Sequence, residues 1–223
     1  MALNVIMMGP PGAGKGTQAE RFARARRLLK ISTGDILREA VQSQTSLGMK
    51  AKAIIDAGKL VDDATMIGIV RERLFRPDAM QGFVLDGFPR TVAQAHALDE
   101  IMTERDKGPL VVIEVVVPHA ELVKRLSTRR ICSKCGANAD PFDGAASGNR
   151  CKRCGGEFVQ RTDDNVDVVK KRLGIYDREK QPLVEYYRTR PTFRVVNGAQ
   201  TPEVVAAELD SAIDAAAAVE PQL

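Results

Sequence analysis

Residues Gly9-Pro10-Pro11-Gly12-Ala13-Gly14-Lys15-Gly16-Thr17 follow directly on the apolar run Leu3–Met8 and lead into Gln18-Ala19-Glu20-Arg21-Phe22. A buried strand entering a glycine-rich turn that opens a helix is the context of a phosphate-binding loop. Small residues let the backbone curl, so that several N–H groups point inward at one anion. The positive end of the following helix adds to them, and Lys15 supplies a mobile ammonium for the β/γ-phosphates of a nucleoside triphosphate. The usual Ser or Thr after the lysine, whose hydroxyl binds Mg²⁺, is replaced by Gly16, with Thr17 one place later. A magnesium ion is then held mostly through water and by some other carboxylate.

The loop demands a strand before it and a helix after it, and the rest of the chain continues in that style. Strand-like runs are Leu3–Met8, Leu28–Ser32, Phe83–Asp86, Leu110–Val117 and Phe193–Val196. Helical periodicity lies near 15–25, 34–43, 48–57, 63–75, 91–104, 119–128, 164–188 and 202–217. Continuous apolar strands joined by helices predict an α/β fold, a parallel five-stranded sheet covered on both faces. Ligands of such sheets bind beyond the carboxyl ends of the strands. The phosphate loop, Ser32-Thr33-Gly34-Asp35 and Asp86-Gly87-Phe88-Pro89-Arg90 each follow a strand at that end, so they are expected to converge on one cleft. Two stretches read as insertions. One is helical and has no strand of its own, from Thr33 to about Leu60. The other, Arg129 to Asp163, is rich in Cys, Gly and basic residues and carries an expected exposed turn at Gly144–Asn149.

All four cysteines of the 223-residue chain fall in the second insertion, as Cys132, Cys135, Cys151 and Cys154. The C-x2-C-x15-C-x2-C spacing is that of a zinc site, with Gly136 and Gly155 loosening the backbone after each pair. Two disulfides or four free thiols are the alternatives. Four thiolates close a tetrahedron and leave no position for water, so the zinc is expected to be structural. Net charge is +4, from 33 basic and 29 acidic residues, too mild to argue for nucleic acid. Phe142 and Phe158 are the only aromatics between Cys132 and Asp163, which speaks against an RNA-gripping ribbon. No apolar run approaches the length of a membrane span. Met1-Ala2-Leu3-Asn4 lacks a basic leader region, and the expected location is the cytoplasm.

The remaining chemistry-bearing residues have ordinary structural readings beside functional ones. Ser32 or Thr33 suits a helix cap, with Asp35 near the positive helix end; Arg38, one turn in, is left over by that account. Asp86 and Arg90 sit on one tight connection. They suit either an ion pair closing the turn or, respectively, water-mediated holding of Mg²⁺ and bidentate contact with a phosphate. Gln94 shares a helix face with Arg90. Gly58-Lys59-Leu60-Val61-Asp62 on its own is a helix stop. Arg125, Arg129 and Arg130 flank the entrance to the cysteine segment, and Arg161 and Arg172 its exit, with Asp163 and Asp164 between. Each alone reads as surface charge; grouped at the hinges of a flap they suit closure over a triphosphate. His96 and His119 have no metal or triad spacing. Glu114 interrupts the buried run Leu110–Val117 and needs a partner that the sequence does not name.

GPPGAGKGT, STGD, DGFPRT and the arginine-flanked cysteine segment together resemble the nucleoside monophosphate kinases, the adenylate kinase family above all. The resemblance runs from Asn4 to about Leu209. It implies a core of residues 1–31, 61–128 and 164–223, an AMP-binding insert at 32–60 and a zinc-binding lid at 129–163. The lid departs from the family over Asn138–Asn149, which lacks the usual Asn-Pro-Pro. By resemblance, ATP is bound by Gly12, Ala13, Gly14, Lys15, Gly16, Thr17, Arg125, Arg129 and Gln200. AMP is bound by Thr33, Arg38, Lys59, Leu60, Val61, Gly87, Arg90, Gln94, Arg161 and Arg172, with Gln94 reading the adenine edge. Catalysis falls to Lys15, Asp86, Arg90, Arg129, Arg161 and Arg172. The implied reaction is Mg·ATP + AMP ⇌ 2 ADP in a monomer with ATP and AMP as its only partners, neither nucleic acid nor membrane. A kinase for UMP/CMP or GMP is the alternative. The acceptor is already an oxyanion, so alignment, electrostatics and exclusion of water suffice.

Overall fold

Val5, Ile6, Val84, Leu85, Val111, Val112 and Ile113 are fully buried, and alternate residues of each strand serve two separate cores. This is the period-2 signature of a sheet covered on both faces. The computed structural model describes residues 2–44, 46–56, 59–105, 108–139, 150–161 and 164–219; Gly58, Phe142, the turn expected at Gly144–Asn149 and Asp163 lie outside them. The strands are β1 (Leu3–Met8), β2 (Leu29–Ser32), β3 (Gly82–Asp86), β4 (Leu110–Val116) and β7 (Phe193–Asn197), in the parallel order β2-β3-β1-β4-β7.

On one face lie α1 (Lys15–Arg26), α6 (His119–Thr128) and α8 (Pro202–Ala217), which contribute Phe22, Leu126, Leu209 and Ile213 to a core with Val5, Met7, Ile113 and Val115. On the other lie α4 (Asp63–Leu74) and α5 (Val92–Arg105), where Val70, Leu74, Leu98 and Ile101 meet Ile6, Met8, Phe83 and Val112. The long helix α7 (Val166–Arg188) joins both cores: Val169 and Leu173 enter the first, Leu183, Val184 and Tyr187 the second. Its start carries Arg172 toward the carboxyl ends of the strands, and its far half is anchored in the second core. Helices α2 (Thr33–Gln42) and α3 (Ser46–Asp56) pack on each other between β2 and α4.

The strand and helix positions fall within a residue or two of those expected from the sequence. Three short elements were not foreseen. A 3₁₀ turn, Pro77–Gln81, precedes β3, and a two-stranded antiparallel ribbon pairs β5 (Arg130–Cys132) with β6 (Phe158–Gln160) in the cysteine segment. Glu114 finds its partner here: the Lys180 ammonium on α7 lies 3.1 Å from its carboxylate.

Candidate active site

The loop between β1 and α1 is shaped by its glycines. Gly12 has φ of +85°, and a Cβ there would come within 2.9 Å of the Leu126 side chain and 3.2 Å of the Leu122 carbonyl. A side chain is thus excluded twice, by backbone angle and by the close approach of α6. Gly16 is closely approached for a different reason: a Cβ would stand 3.1 Å from a carboxylate oxygen of Asp86, which would have to give way. The position that usually carries the metal-binding hydroxyl is left open to an acid from the end of β3. The first-turn N–H groups of α1 have no intrahelical acceptor and face the cleft.

Lys15 folds back on its own loop, its ammonium donating to the carbonyls of Gly9 at 2.8 Å and Pro10 at 2.9 Å. Burial lowers its pKa to about 8; Asp86 works in the opposite direction, while Arg90, Arg172 and Arg129 add to the lowering. Those four neighbours come from the end of β3, the loop before α5, α7 and the end of α6. Residues scattered between Asp86 and Arg172 in the sequence therefore act electrostatically on one ammonium.

Around it lies a cleft of about 900 Å³. Every nucleotide-site residue expected from the sequence lines it. On one side are Gly12 to Thr17, Arg125, Arg129 and Gln200; on the other are Thr33, Arg38, Lys59, Leu60, Val61, Gly87, Arg90 and Gln94; Asp86, Arg161 and Arg172 complete the lining. Arg130, without an assigned role, also lines it, as do Tyr176 and Lys180 of α7.

Local pairing fixes these groups. The hydroxyl of Ser32, not that of Thr33, caps α2 by accepting from the Asp35 N–H at 3.2 Å. Thr33 is buried and its hydroxyl donates to the Gly87 carbonyl at 3.0 Å, tying the start of α2 to the turn after β3. Arg38 pairs with Asp35. Burial disfavours the charge on Asp35, but Arg38 and Lys30 outweigh it and its carboxyl lies below the usual range. Arg90 does not close the turn on Asp86; its Nε donates to the Gly87 carbonyl at 2.8 Å. Gln94 is buried and fully oriented: its Oε1 accepts from the Arg90 N–H at 2.8 Å, and its Nε2 donates to Asp63 at 2.7 Å.

The other side of the cleft is held likewise. Arg125 donates to Glu121 at 2.9 Å and to the Gly198 carbonyl at 2.8 Å, which brings α6 against the loop that carries Gln200. Arg129 and Arg172 share the fully buried carboxylate of Asp164. Asp164 was visible in the sequence only as an acid between arginines, and its anchoring role had no local signal. Asp63 had none either, because it acts across a long-range contact.

The four cysteine sulfurs lie within 4.8 Å of one another. Each pair sits in the same turn: the Gly136 N–H donates to the Cys132 carbonyl at 3.0 Å, and the Gly155 N–H to the Cys151 carbonyl at 2.7 Å. Sulfur separations of 3.3 Å for Cys132–Cys154 and 3.7 Å for Cys135–Cys151 fit a tetrahedral zinc, whose Zn–S bonds of ~2.3 Å place sulfurs roughly 3.8 Å apart. Within the cluster the N–H of Cys135, helped by that of Lys134, lowers the Cys132 thiol; the Ala137 N–H acts likewise on Cys135, but burial and the neighbouring sulfurs outweigh it and raise that thiol, so Cys132 is the first of the two to ionise. Among the described residues, no helix is long and apolar enough to cross a membrane.

Comparison with known proteins agrees with this geometry. The family model "Adenylate kinase" matches residues 7–192. An adenylate kinase of Archaeoglobus fulgidus is 48% identical over 217 residues, covering 95% of this chain and 98% of the relative. One of Desulfitobacterium hafniense is 48% identical over 214 residues, covering 96% and 97%. One of Bacillus cereus is 46% identical over 209 residues, covering 93% and 97%. A family match over most of the chain and near half identity over nearly all of it place this protein in the adenylate kinase family.

Proposed function

We propose that the cleft carries out the family's reaction, reversible transfer of the terminal phosphoryl group of Mg·ATP to AMP giving two ADP, through the residues assembled around Lys15. The observation that supports this best is the set of charges acting on that ammonium: Asp86, Arg90, Arg172 and Arg129 converge on it from separate elements. Such transfer has a loose transition state with charge spread over the phosphoryl oxygens, and stabilising it is mostly a matter of fixed positive groups.

On this reading the loop Gly12–Thr17 cradles the ATP phosphates, with Lys15 moving from the Gly9 and Pro10 carbonyls onto them. Arg125 and Gln200 border the ATP base, and Arg129 lies on its phosphates. Thr33, Arg38, Lys59, Leu60, Val61, Gly87 and Gln94 form the AMP site. Arg90, Arg161 and Arg172 hold the acceptor phosphate in line with the donor. Asp86, placed beside Gly16, is the acid that would hold magnesium through water, with Thr17 nearby, and the ion would neutralise phosphate charge.

Residues 32–60 form the AMP insert and 129–163 the lid on a core of 1–31, 61–128 and 164–223. Each closes over its own nucleotide, which excludes the water that would otherwise hydrolyse ATP. The four cysteines hold a structural zinc that shapes the base of the lid. A thiolate zinc site suits a reducing compartment, and we take the enzyme as a cytoplasmic monomer.

The test is a coupled assay of ADP formation with AMP, GMP, CMP and UMP as acceptors. AMP is expected to react fastest. Faster turnover of CMP or UMP would overturn the AMP assignment.

A further inference from the structure

Asp63, the first residue of α4, does not line the cleft, yet it joins the group expected to read the acceptor base. Its Oδ1 accepts from Gln94 Nε2 at 2.7 Å, and its Oδ2 accepts from the Thr91 hydroxyl at 2.9 Å. The Thr91 oxygen in turn receives the Gln94 backbone N–H at 3.2 Å. On its other side the Gln94 amide oxygen meets the Arg90 N–H at 2.8 Å.

These contacts leave the amide one orientation. A carboxylate only accepts, so the Gln94 atom facing Asp63 must be the NH₂ group. A backbone N–H only donates, so the atom facing Arg90 must be the oxygen. The two constraints agree. Of the two, the bond to the carboxylate is charge-assisted and is the stronger. Gln94 is buried, so an unpaired amide would be costly and rotation is opposed. One N–H and one oxygen lone pair remain uncommitted, in a fixed order, on a side chain that lines the cleft.

We infer that Asp63 is a specificity-determining positioning residue: by locking the Gln94 amide, it makes the acceptor site accept an amino-bearing base edge and reject the keto-bearing one. This rests on the reading of Gln94 as the base reader. Adenine offers an amino donor beside a ring-nitrogen acceptor. Hypoxanthine and guanine offer the reverse, a carbonyl acceptor beside an N–H donor. An amide free to turn over pairs with either edge, whereas a locked one pairs with only one of them. Cytosine presents the amino order and uracil the keto order, so the lock separates A and C from G and U, and ring size must separate A from C.

The experiment compares AMP with IMP, which differ at this edge and carry no 2-amino group. Values of kcat/KM are measured with saturating Mg·ATP for the unmutated enzyme, Asp63→Ala, Asp63→Asn, Gln94→Ala and the Asp63→Ala/Gln94→Ala double variant, each checked for folding by thermal unfolding. Asp63→Ala is expected to lower the AMP:IMP ratio about tenfold, because a reader's discrimination depends on buried polar groups that cannot re-pair. The change should fall on KM for the monophosphate and leave KM for ATP unmoved. Asp63→Asn keeps an acceptor toward Gln94 and should retain most of the ratio, and Asp63→Ala should change nothing further once Gln94 is alanine. If Gln94→Ala leaves the ratio unmoved, Gln94 is not the base reader and the inference falls with that reading. If Gln94→Ala lowers the ratio but Asp63→Ala does not, or does so equally without Gln94, the lock alone is refuted.

Discussion

Asp164 grips Arg129 through both carboxylate oxygens, with Arg129 Nε at 2.6 Å, and the same carboxylate reaches Arg172 at 3.1 Å. Arg129 ends α6 and Arg172 lies on α7, so one buried acid joins the two sides of the cysteine segment. It also spaces two guanidiniums that would otherwise repel. Asp164→Ala leaves both without a shared counter-charge. Breaking a buried pair costs ~3–5 kcal/mol, and the arginines are partly exposed, which reduces this to about 2–3 kcal/mol for this site. Thermal unfolding should report that loss, and kcat should fall because two charge-stabilising groups lose their aim. A variant with unaltered Tm and kcat would refute the anchoring role.

Much of this arrangement was legible in the sequence, and the exceptions share one cause. Strand and helix positions follow from local periodicity, and the loop, the turn after β3 and the cysteine pairs are local patterns with their own chemistry. Three cleft-lining segments were found because each follows a strand at its carboxyl end, whereas Arg125, Arg129, Arg161, Arg172, Gln200 and Lys59–Val61 were assigned to a nucleotide only through the family resemblance. Asp164 with Arg129, Glu114 with Lys180 and Asp63 with Gln94 are different. Each joins residues tens of positions apart, and no short-range pattern chooses one acid over its neighbours. The ribbon β5–β6 was missed because three-residue strands such as Arg130-Ile131-Cys132 are too short to show alternation; the cysteine turns, rather than strand propensity, bring them together.

Lys180→Met tests one of those long-range pairs. It leaves Glu114 buried in β4 without its ammonium partner at 3.1 Å. Because Lys180 is partly exposed, the expected loss is about 1–3 kcal/mol rather than the full cost of a deeply buried pair. Removing both charges, in Glu114→Leu/Lys180→Met, should restore part of it, since an apolar pair satisfies itself. Denaturant midpoints of the two variants give the comparison, and an equally unstable double variant would show that the pairing is not the source.

Lys15→Met should lower kcat by roughly 10²–10³ while leaving the fold intact, as loss of other preorganised charge-stabilising groups does. Folding survives because the hydrogen bonds of the ammonium go to the Gly9 and Pro10 carbonyls of its own loop rather than to the core. Steady-state kinetics with circular dichroism of the same sample decide it, and near-normal turnover in a folded variant would remove Lys15 from the chemistry.

The lowered pKa of Lys15, from 10.5 to about 8, gives a pH dependence with a definite sign. Between these values the unfolded chain holds the proton and the folded protein without nucleotide has released it. Stability contributed by this group therefore rises with pH across that window. Binding has the opposite sign. A triphosphate favours the ammonium, so above about pH 8 the free enzyme must take up a proton to bind ATP. We expect kcat/KM for ATP, which reports the free enzyme, to fall through an apparent pKa near 8, with kcat holding to higher pH. A flat kcat/KM profile from pH 7 to 10 would show that burial does not perturb the lysine in this way.

Replacing Cys132 and Cys135 by serine should separate the shape of the cysteine segment from the chemistry of the cleft. Four sulfurs within 4.8 Å would saturate a zinc ion, which would then have no open position from which to touch phosphate or activate water. Its expected contribution is to fold the segment: among the described residues the two cysteine turns and the ribbon β5–β6 add nothing to either apolar core, and a bound metal would supply much of what holds them. A local loss of about 2 kcal/mol lowers Tm by roughly 4–8 °C in a chain of this size. The double variant should therefore melt earlier and show faster amide exchange around Arg130–Cys132 and Phe158–Gln160, yet retain measurable transfer at low temperature. Metal analysis of the unmutated protein, purified without chelator, should give one zinc per chain. No bound metal would refute the site, and complete loss of activity on zinc removal with the fold intact would mean that the metal takes part in the reaction.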